Sequence, residues 1–258
     1  MPKLPISVCM ISGAEAHRIG NALESVAGWT EEIIVVLNKE AQDGTDKVVQ
    51  QHGGKVFREP WKGFIAQKNS VTEKAGQPWV LGLDADEAVS ADLRDELQRL
   101  FAKHPESHAG YSFPRCSHYF GRWIRHGDWY PDRCTRLWQR GRGRWVGTDP
   151  HARPEVKGKV DRLRGDLLHY SMETFEHQIA KTITYADDFA RHCTAQGRVV
   201  TLVDLYARPT WRFFRAYVFK LGFLDGWQGY SIAWMTAFYT FLRYAKARAA
   251  QAGRNTPL

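Results

Sequence analysis

Two aspartates spaced two residues apart, in the run Asp84-Ala85-Asp86-Glu87, are the side chains of this sequence best arranged for chemistry. In extended backbone, residues i and i+2 point to the same side. The two carboxylates therefore converge just beyond the apolar run Trp79–Leu83. Uncompensated carboxylates that close repel each other, which raises the pKa of one of them. A hard divalent cation relieves the repulsion, and Mg²⁺ or Mn²⁺ favours one or two carboxylates together with phosphate oxygens and water. As a bare pattern the spacing is weak, since a solvated turn satisfies it equally well. Its weight comes from its place, after a buried strand and before a capped helix.

The elements that position it alternate in type through the first hundred residues. Ile6–Ile11 is a short apolar run, and Ile33–Leu37 is a continuous, mostly β-branched one, as expected of strands covered on both faces. Lys55–Phe57 and Trp79–Leu83 supply two further strands. Between them, Arg18–Val26 carries Ile19, Ala22, Leu23 and Val26 at helical spacing, Asp46–His52 is a short helix stopped by Gly53-Gly54, and Lys62–Lys74 is a helix ended by Gly76 and Pro78. Ser90 is a good N-cap for Ala91–Lys103, with Asp92 favourably placed in its first turn. This alternation implies βαβ units and an α/β fold, Rossmann-like, with a mainly parallel sheet flanked by helices. Ligands in such folds sit outside the carboxyl ends of the strands, where the two aspartates are expected.

From Gly110 to Tyr170 the sequence reads as irregular strands and loops. Beyond Met172 it is helical, with Phe175, Ile179, Ile183, Ala186 and Ala190 marking one face, followed by aromatic-rich helices over Trp211–Leu224 and Trp227–Ala250. The chain divides on this reading into 1–170, with an alternating strand–helix part (1–105) and a more irregular part (106–170), and a helical region 171–258. The net charge of +8 suggests an anionic partner, and Arg115–Arg164 holds thirteen Lys/Arg against five Asp/Glu. No nucleic-acid-binding motif accompanies that charge, so nucleic acid is not expected. Cys9, Cys116, Cys134 and Cys193 are widely spaced without a CxxC pair, which reads as reduced thiols in a cytoplasmic protein. No apolar run reaches the roughly 20 residues that span a bilayer. The alternation of basic and aromatic residues after Arg208 suits helices lying in a membrane interface, and it suits equally helices packed on the rest of the chain or on a partner subunit.

The stretches "EEIIVVLN", "DGTDKV", "GGKVFREPWKGFIAQKNSVTEKA", "WVLGLDADEAVS", "YFGRWIRHGDWYPDRCTRLWQRG", "LLHYS" and "KLGFLDGWQGY" carry a more specific signal, spread in order over nearly the whole chain. Together they resemble the family 2 glycosyltransferases of GT-A type, nearest the bacterial group that adds sugars to the lipopolysaccharide inner core. The resemblance implies an inverting transfer of a sugar, a hexose by analogy, from a nucleotide diphosphate such as a UDP-sugar to a lipid-linked saccharide. It also implies peripheral attachment to the cytoplasmic face of the inner membrane through the terminal helices. By the same resemblance 1–105 is the nucleotide-binding part and 106–170 the acceptor-side part; Ile11, Ser12 and Glu15 flank the nucleotide, Gln67, Lys68 and Asn69 approach it, Asp84 lies near the ribose, and Asp86 with His151 holds Mg²⁺ or Mn²⁺. His169 is the alternative histidine. Asp132 matches the position of the catalytic base, with Asp128 and Asp149 as alternatives.

Two departures from the family pattern stand out. Strand two ends in Leu37-Asn38 where an aspartate usually contacts the base; Asn38 both donates and accepts, so it can still read one. Ala152 follows His151 where the lipopolysaccharide group has glutamate. These departures keep a second reading open, a catalytically silent, membrane-associated binding protein. A nucleotidyltransferase is a weaker rival, because "ISGAEAHRIG" makes a poor phosphate loop. The oligomeric state is not legible.

Overall fold

The computed structural model describes residues 2–103, 105–149, 151–172 and 174–252, so the last six residues of the expected helical region lie outside the described residues. In chain order the elements are β1 (Leu4–Ser12), α1 (Ile19–Val26), β2 (Thr30–Asn38), α2 (Thr45–Gln51), β3 (Lys55–Glu59), α3 (Phe64–Glu73), β4 (Trp79–Gly82), β5 (Glu87–Val89) and α4 (Ala91–Phe101). Then come β6 (Gly110–Tyr119), β7 (Arg122–Trp123), β8 (Asp132–Gln139), β9 (Gly143–Thr148), β10 (His151–Val156), β11 (Val160–Arg162) and β12 (Leu167–His169). The remaining helices are α5 (Phe175–Ala195), α6 (Leu202–Leu205), α7 (Ala207–Phe214) and α8 (Gly226–Ala252). Two compact units result, 1–115 with 132–169, and 116–131 with 170–258. Segment 116–131 thus groups with the helices, and the division falls inside β6.

The first unit is built on a sheet ordered β3-β2-β1-β4-β8-β6-β12-β5. Strands β3, β2, β1 and β4 are parallel, with Val8 opposite Ile33 on one side and Leu81 on the other. Strand β8 then pairs antiparallel with β4, and β6 antiparallel with β8. Alternate residues of one strand serve opposite faces. Ile6, Val8 and Met10 pack with α1 and α4 residues such as Leu23 and Leu93, while Cys9 and Ile11 pack with Val71 of α3, with Ala75 just beyond it, and with Trp138 and Trp145. Burial on both faces explains why the central strands are uninterrupted apolar runs. The curled, mainly parallel sheet with covering helices is the α/β architecture expected. Ser90 caps α4, its Oγ accepting the Leu93 N–H at 3.1 Å.

Residues 110–170 are more regular than expected, with ten-residue β6 pairing antiparallel with eight-residue β8 from Gly110 to Arg115 across a register shift at Tyr111/Ser112. Pro114 inside β6 and the arginines of β8 hide the period-two pattern that would have revealed them.

In the second unit, α5 buries Gln178, Thr182, Ala186, Ala190 and Cys193, and leaves Phe175, Ile179 and Ile183 exposed. The inward face is therefore rotated from the one expected. The Tyr119 hydroxyl donates to Gln178 Oε1 at 2.8 Å, which fixes a polar residue inside. Small residues of α8 (Gly229, Ala233, Ala237) lie buried in the same unit. The expected helix Trp211–Leu224 also breaks: α7 ends at Phe214, a π-helical turn covers Arg215–Phe219, and a 3₁₀ turn covers Gly222–Asp225. The Asp225 carboxylate, accepting the N–H groups of Arg125 and His126 at 3.0 and 2.8 Å, anchors that interruption.

Candidate active site

The cleft of the first unit, about 590 Å³, opens at the carboxyl ends of the parallel strands. Its lining includes Ile11, Ser12 and Gly13 at the end of β1, Asn38 at the end of β2, Trp61, Phe64 and Lys68 around the start of α3, and Asp84, Ala85 and Asp86 after β4. Strand β1 is flanked by β2 and β4, so the chain's winding reverses there and the helices diverge, which leaves a crevice at the strand ends.

A closed turn presents the acidic pair. The Asp84 N–H donates to Glu87 Oε2 at 3.1 Å, and the Glu87 N–H donates back to the Asp84 carbonyl at 3.0 Å. Both aspartates reach the cleft, but their partners differ. Lys68 Nζ lies 2.5 Å from Asp84 Oδ1, and Arg136 lies 2.8 Å from Asp84 Oδ2. Burial works against ionisation of Asp84, yet the charges of Arg136 and Lys68 outweigh it and hold the carboxyl well below the usual range. Asp86 pairs with His169, Nε2 to Oδ2 at 3.6 Å. Burial again opposes its ionisation, while His169 and, more distantly, Arg18 lower its pKa. The repulsion anticipated from the sequence is thus relieved in part by cationic side chains.

Asp86 lines the cleft with His169 beside it, and a carboxylate supported by one imidazole can hold Mn²⁺ or Mg²⁺ completed by phosphate oxygens and water. Among the described residues no group of three such side chains gathers. His151 is exposed and opens β10 opposite Thr148, and like His169 it is not among the residues lining the cleft. The histidine beside Asp86 is His169, brought there because β12 runs antiparallel to β5 with His169 opposite Glu87.

The Asp84 pair continues into a ladder of charge. Arg136 also meets Glu87 at 2.6 Å, Arg115 approaches Glu87 at 3.5 Å, and Arg115 holds Asp132 at 2.5 Å. Asp132 is half-exposed at the far end of that ladder. Asp149 is committed elsewhere. Its Oδ1 accepts the Ile65 N–H at 3.0 Å, placing the carboxylate at the positive end of α3. Gly63, at φ 90°, permits this, since a side chain there would collide with Asp149 Oδ2. In the second unit Asp128 is clamped by Arg212, Arg215 and Lys220 at 3.0–3.3 Å.

The remaining candidates separate into lining and bracing residues. Ser12 donates to Glu15 Oε2 at 2.8 Å, and Glu15 also holds the Arg18 guanidinium, so these two shape the β1–α1 turn beside the cleft. The "DGT" motif braces the same turn, because Thr45 Oγ1 accepts the Glu15 N–H and Asp43 Oδ2 accepts the Ala16 N–H. Asn69 does not line the cleft; its amide pairs with both backbone groups of Trp145, at 2.8 and 2.9 Å, and ties α3 to β9. Gln67 is 1% exposed, and neither amide atom has a hydrogen-bond partner among the described residues. Leu37 belongs to the core, which leaves Asn38 to meet the cleft. Ala152 packs against the Trp138–Trp145 cluster.

Sequence reasoning passed over three lining residues, Arg18, Trp61 and Phe64. Trp61 and Phe64 meet edge-on at 4.8 Å and are 47% and 40% exposed. Two aromatics astride Gly63, immediately before a helix and after a strand, were the available signal.

The curled, mainly parallel sheet with its cleft at the carboxyl ends of β1 and β4 is a GT-A fold, the fold of a class of glycosyltransferases. Residues 7–155 match the family described as glycosyl transferase family 2, and the chain belongs to that family. It is 31% identical to the lipopolysaccharide core biosynthesis glycosyltransferase LpsC of Rhizobium meliloti, with 95% of this chain and 93% of that protein covered. It is 29% identical to an uncharacterized glycosyltransferase of Rickettsia felis, with 94% and 89% covered. Similar folds occur in the mannosyltransferase PcManGT from Pyrobaculum calidifontis, solved with GDP-Man and Mn²⁺ (TM-score 0.53, 16% identity, 99% of this chain and 77% of that one). Residues 1–349 of TarS from S. aureus, solved with UDP-GlcNAc, give a TM-score of 0.52 at 12% identity, with 97% and 92% covered. The protein is a family 2 glycosyltransferase.

Proposed function

We propose that this enzyme transfers a hexose, with inversion, from a UDP-sugar to a lipid-linked saccharide during assembly of the lipopolysaccharide core, working peripherally on the cytoplasmic face of the inner membrane. The observation that carries the reading is the cleft, joined to end-to-end similarity with a lipopolysaccharide core transferase. The base of the donor lies toward Asn38, Trp61 and Phe64, where Asn38 offers both a donor and an acceptor to uracil. The diphosphate lies toward Lys68, Arg18 and the acidic pair.

Asp86 and His169 would hold Mg²⁺ or Mn²⁺, whose charge, when bound, stabilises the departing diphosphate. Lys68 and Arg136 keep Asp84 ionised and fixed in the cleft. Asp132 takes the proton of the attacking acceptor hydroxyl, in line with an inverting reaction. Arg115 orients it.

The test is a thermal-shift and turnover panel of UDP-, GDP-, ADP- and dTDP-sugars with Mn²⁺. The expected result is stabilisation by UDP-sugars and release of UDP from them, abolished by EDTA and by Asp86→Ala. A panel in which no UDP-sugar moved Tm or turned over would overturn the donor assignment.

A further inference from the structure

Helix α8 carries two unlike faces. Gly229, Ala233, Ala237, Thr240 and Ala247 are buried, whereas Trp227, Tyr230, Trp234, Phe238 and Phe241, at spacings of three and four, form an exposed aromatic stripe. Helix α7 extends the stripe: Phe213 packs on Trp234 at 5.2 Å and on Tyr230 at 5.9 Å. Beyond it Trp211, Phe214 and Phe219 are exposed, Phe219 by 67%. Between α7 and α8 runs a groove of about 480 Å³, bounded by Pro209, Phe213, Phe214, Trp234 and Phe238 among others, with no charged side chain in its lining. That volume lies within the range of small-ligand sites.

The charge of the same segment is one-sided. Residues 202–252 contain Arg208, Arg212, Arg215, Lys220, Arg243, Lys246 and Arg248 against Asp204 and Asp225. Both aspartates are spent internally, Asp204 on Arg198 and Arg208, and Asp225 on Arg122 and His126. Asp128 gathers Arg212, Arg215 and Lys220 around one carboxylate that is 8% exposed, while the three cations remain about a third exposed. A second copy of this surface would bring like charge against like charge. Nucleic acid would satisfy the charge and leave the apolar groove uncovered. An anionic bilayer satisfies both, with Trp and Tyr at the interfacial depth they favour. No helix among the described residues is long and apolar enough to cross a membrane, so contact would be from one side.

We propose that α7 and α8 form a docking surface for an anionic lipid leaflet, with one acyl chain entering the groove between them. The proposal deepens the lipid-linked acceptor reading, yet it stands on residues of the second unit alone. The test floats the full chain with phosphatidylglycerol-containing or purely phosphatidylcholine vesicles, alongside the double variant Phe214→Ser/Phe238→Ser. Expected is flotation that requires anionic lipid, weakens with salt, and falls about tenfold for each ring removed, equivalent to ~1.4 kcal/mol apiece. Quenching of tryptophan fluorescence in the unaltered protein by acyl-brominated lipid gives an independent readout that no folding defect can imitate. Absent quenching, flotation unchanged by the double variant, or a variant that instead dissociates an oligomer would each overturn the proposal. UDP-sugar hydrolysis measured without lipid stays at the parental rate in the double variant, so a failed flotation leaves the transferase assignment separately testable.

Discussion

Arg136 and Glu87 form a 2.6 Å ion pair from which solvent is almost wholly excluded. The same guanidinium grips Asp84 at the floor of the cleft, so the position of a cleft-lining carboxylate is set by a cation that is itself only 5% exposed. Removing one member of such a pair strands the other charge in a poor solvent. Arg136→Met is expected to lower stability by about 3 kcal/mol in urea unfolding. Arg136→Lys keeps the charge but not the two-carboxylate grip, and should retain more of the stability while losing turnover. A methionine variant as stable as the parent would mean that the ladder contributes nothing to the fold.

The two histidines differ in a way that metal titration can test. His169 stands beside Asp86, and His151 is exposed on the β9–β10 hairpin. His169→Ala should raise the Mn²⁺ concentration for half-maximal turnover by roughly tenfold to a hundredfold, the usual cost of losing metal-site support. His151→Ala should leave it where it was. Metal titration of the two variants side by side decides the matter, and equal effects would return His151 to the site.

Donor binding offers a contrast between an exposed ring and a buried amide. Stacking on an aromatic side chain contributes about 1–3 kcal/mol per base. Trp61→Ala should therefore raise KM for the UDP-sugar about tenfold or more with kcat little changed. Gln67→Leu tests the unpartnered amide. Removing a buried polar group that lacks a partner should stabilise the protein by about 1 kcal/mol. Should Gln67 also meet the donor, KM rises in the same variant; if KM is unmoved, the residue belongs to the core alone.

Much of this arrangement could be read beforehand because it rests on local rules. The strands β1 and β2 announce themselves as apolar runs since both faces are covered, and Ser90 marks the start of α4 through its own hydroxyl. Asp84 and Asp86 were legible from spacing and position. What stayed hidden depends on contacts distant in sequence. Nothing in the neighbourhood of His169 says that β12 will return beside β5, and nothing near Asn69 says that its amide will be taken by Trp145. The face buried by α5 was misjudged for a related reason: Tyr119, the partner of the inward-facing Gln178, lies 59 residues away, so nothing local marks that face as the buried one.

Acid stability gives a prediction independent of catalysis. Glu59 ends β3 and binds Lys62 at 2.8 Å and Lys74 at 2.6 Å, bracing the loop that carries Trp61. Hydrogen bonds from Lys62 and Lys74 hold its pKa at about 2, below the ordinary 4.5, against the opposing effect of burial. A carboxyl depressed in the folded state contributes stability that is complete above its unfolded pKa and disappears as pH falls through the folded one. The parent should therefore lose this contribution between about pH 4.5 and pH 2. In Glu59→Gln the difference from the parent should be largest at neutral pH and shrink across that window, as followed by urea midpoints at each pH.

The assignment of Asp132 as the base is open to a test that its rivals do not share. Asp149 is occupied at the start of α3, and Asp128 is clamped by three cations, so substituting either should damage stability before chemistry. Asp132 is held by Arg115 and is otherwise exposed, which leaves one face of its carboxylate open to an acceptor. A base acts on the acceptor hydroxyl in the transition state, so Asp132→Asn should lower kcat for transfer by about a hundredfold or more, with donor KM and Tm nearly unchanged. Slow hydrolysis of the donor by water, which requires no acceptor, should survive better than transfer does. If transfer to acceptor proceeds at the parental rate in Asp132→Asn, proton removal belongs to another group, and the ladder from Asp84 to Asp132 serves the fold instead of the reaction.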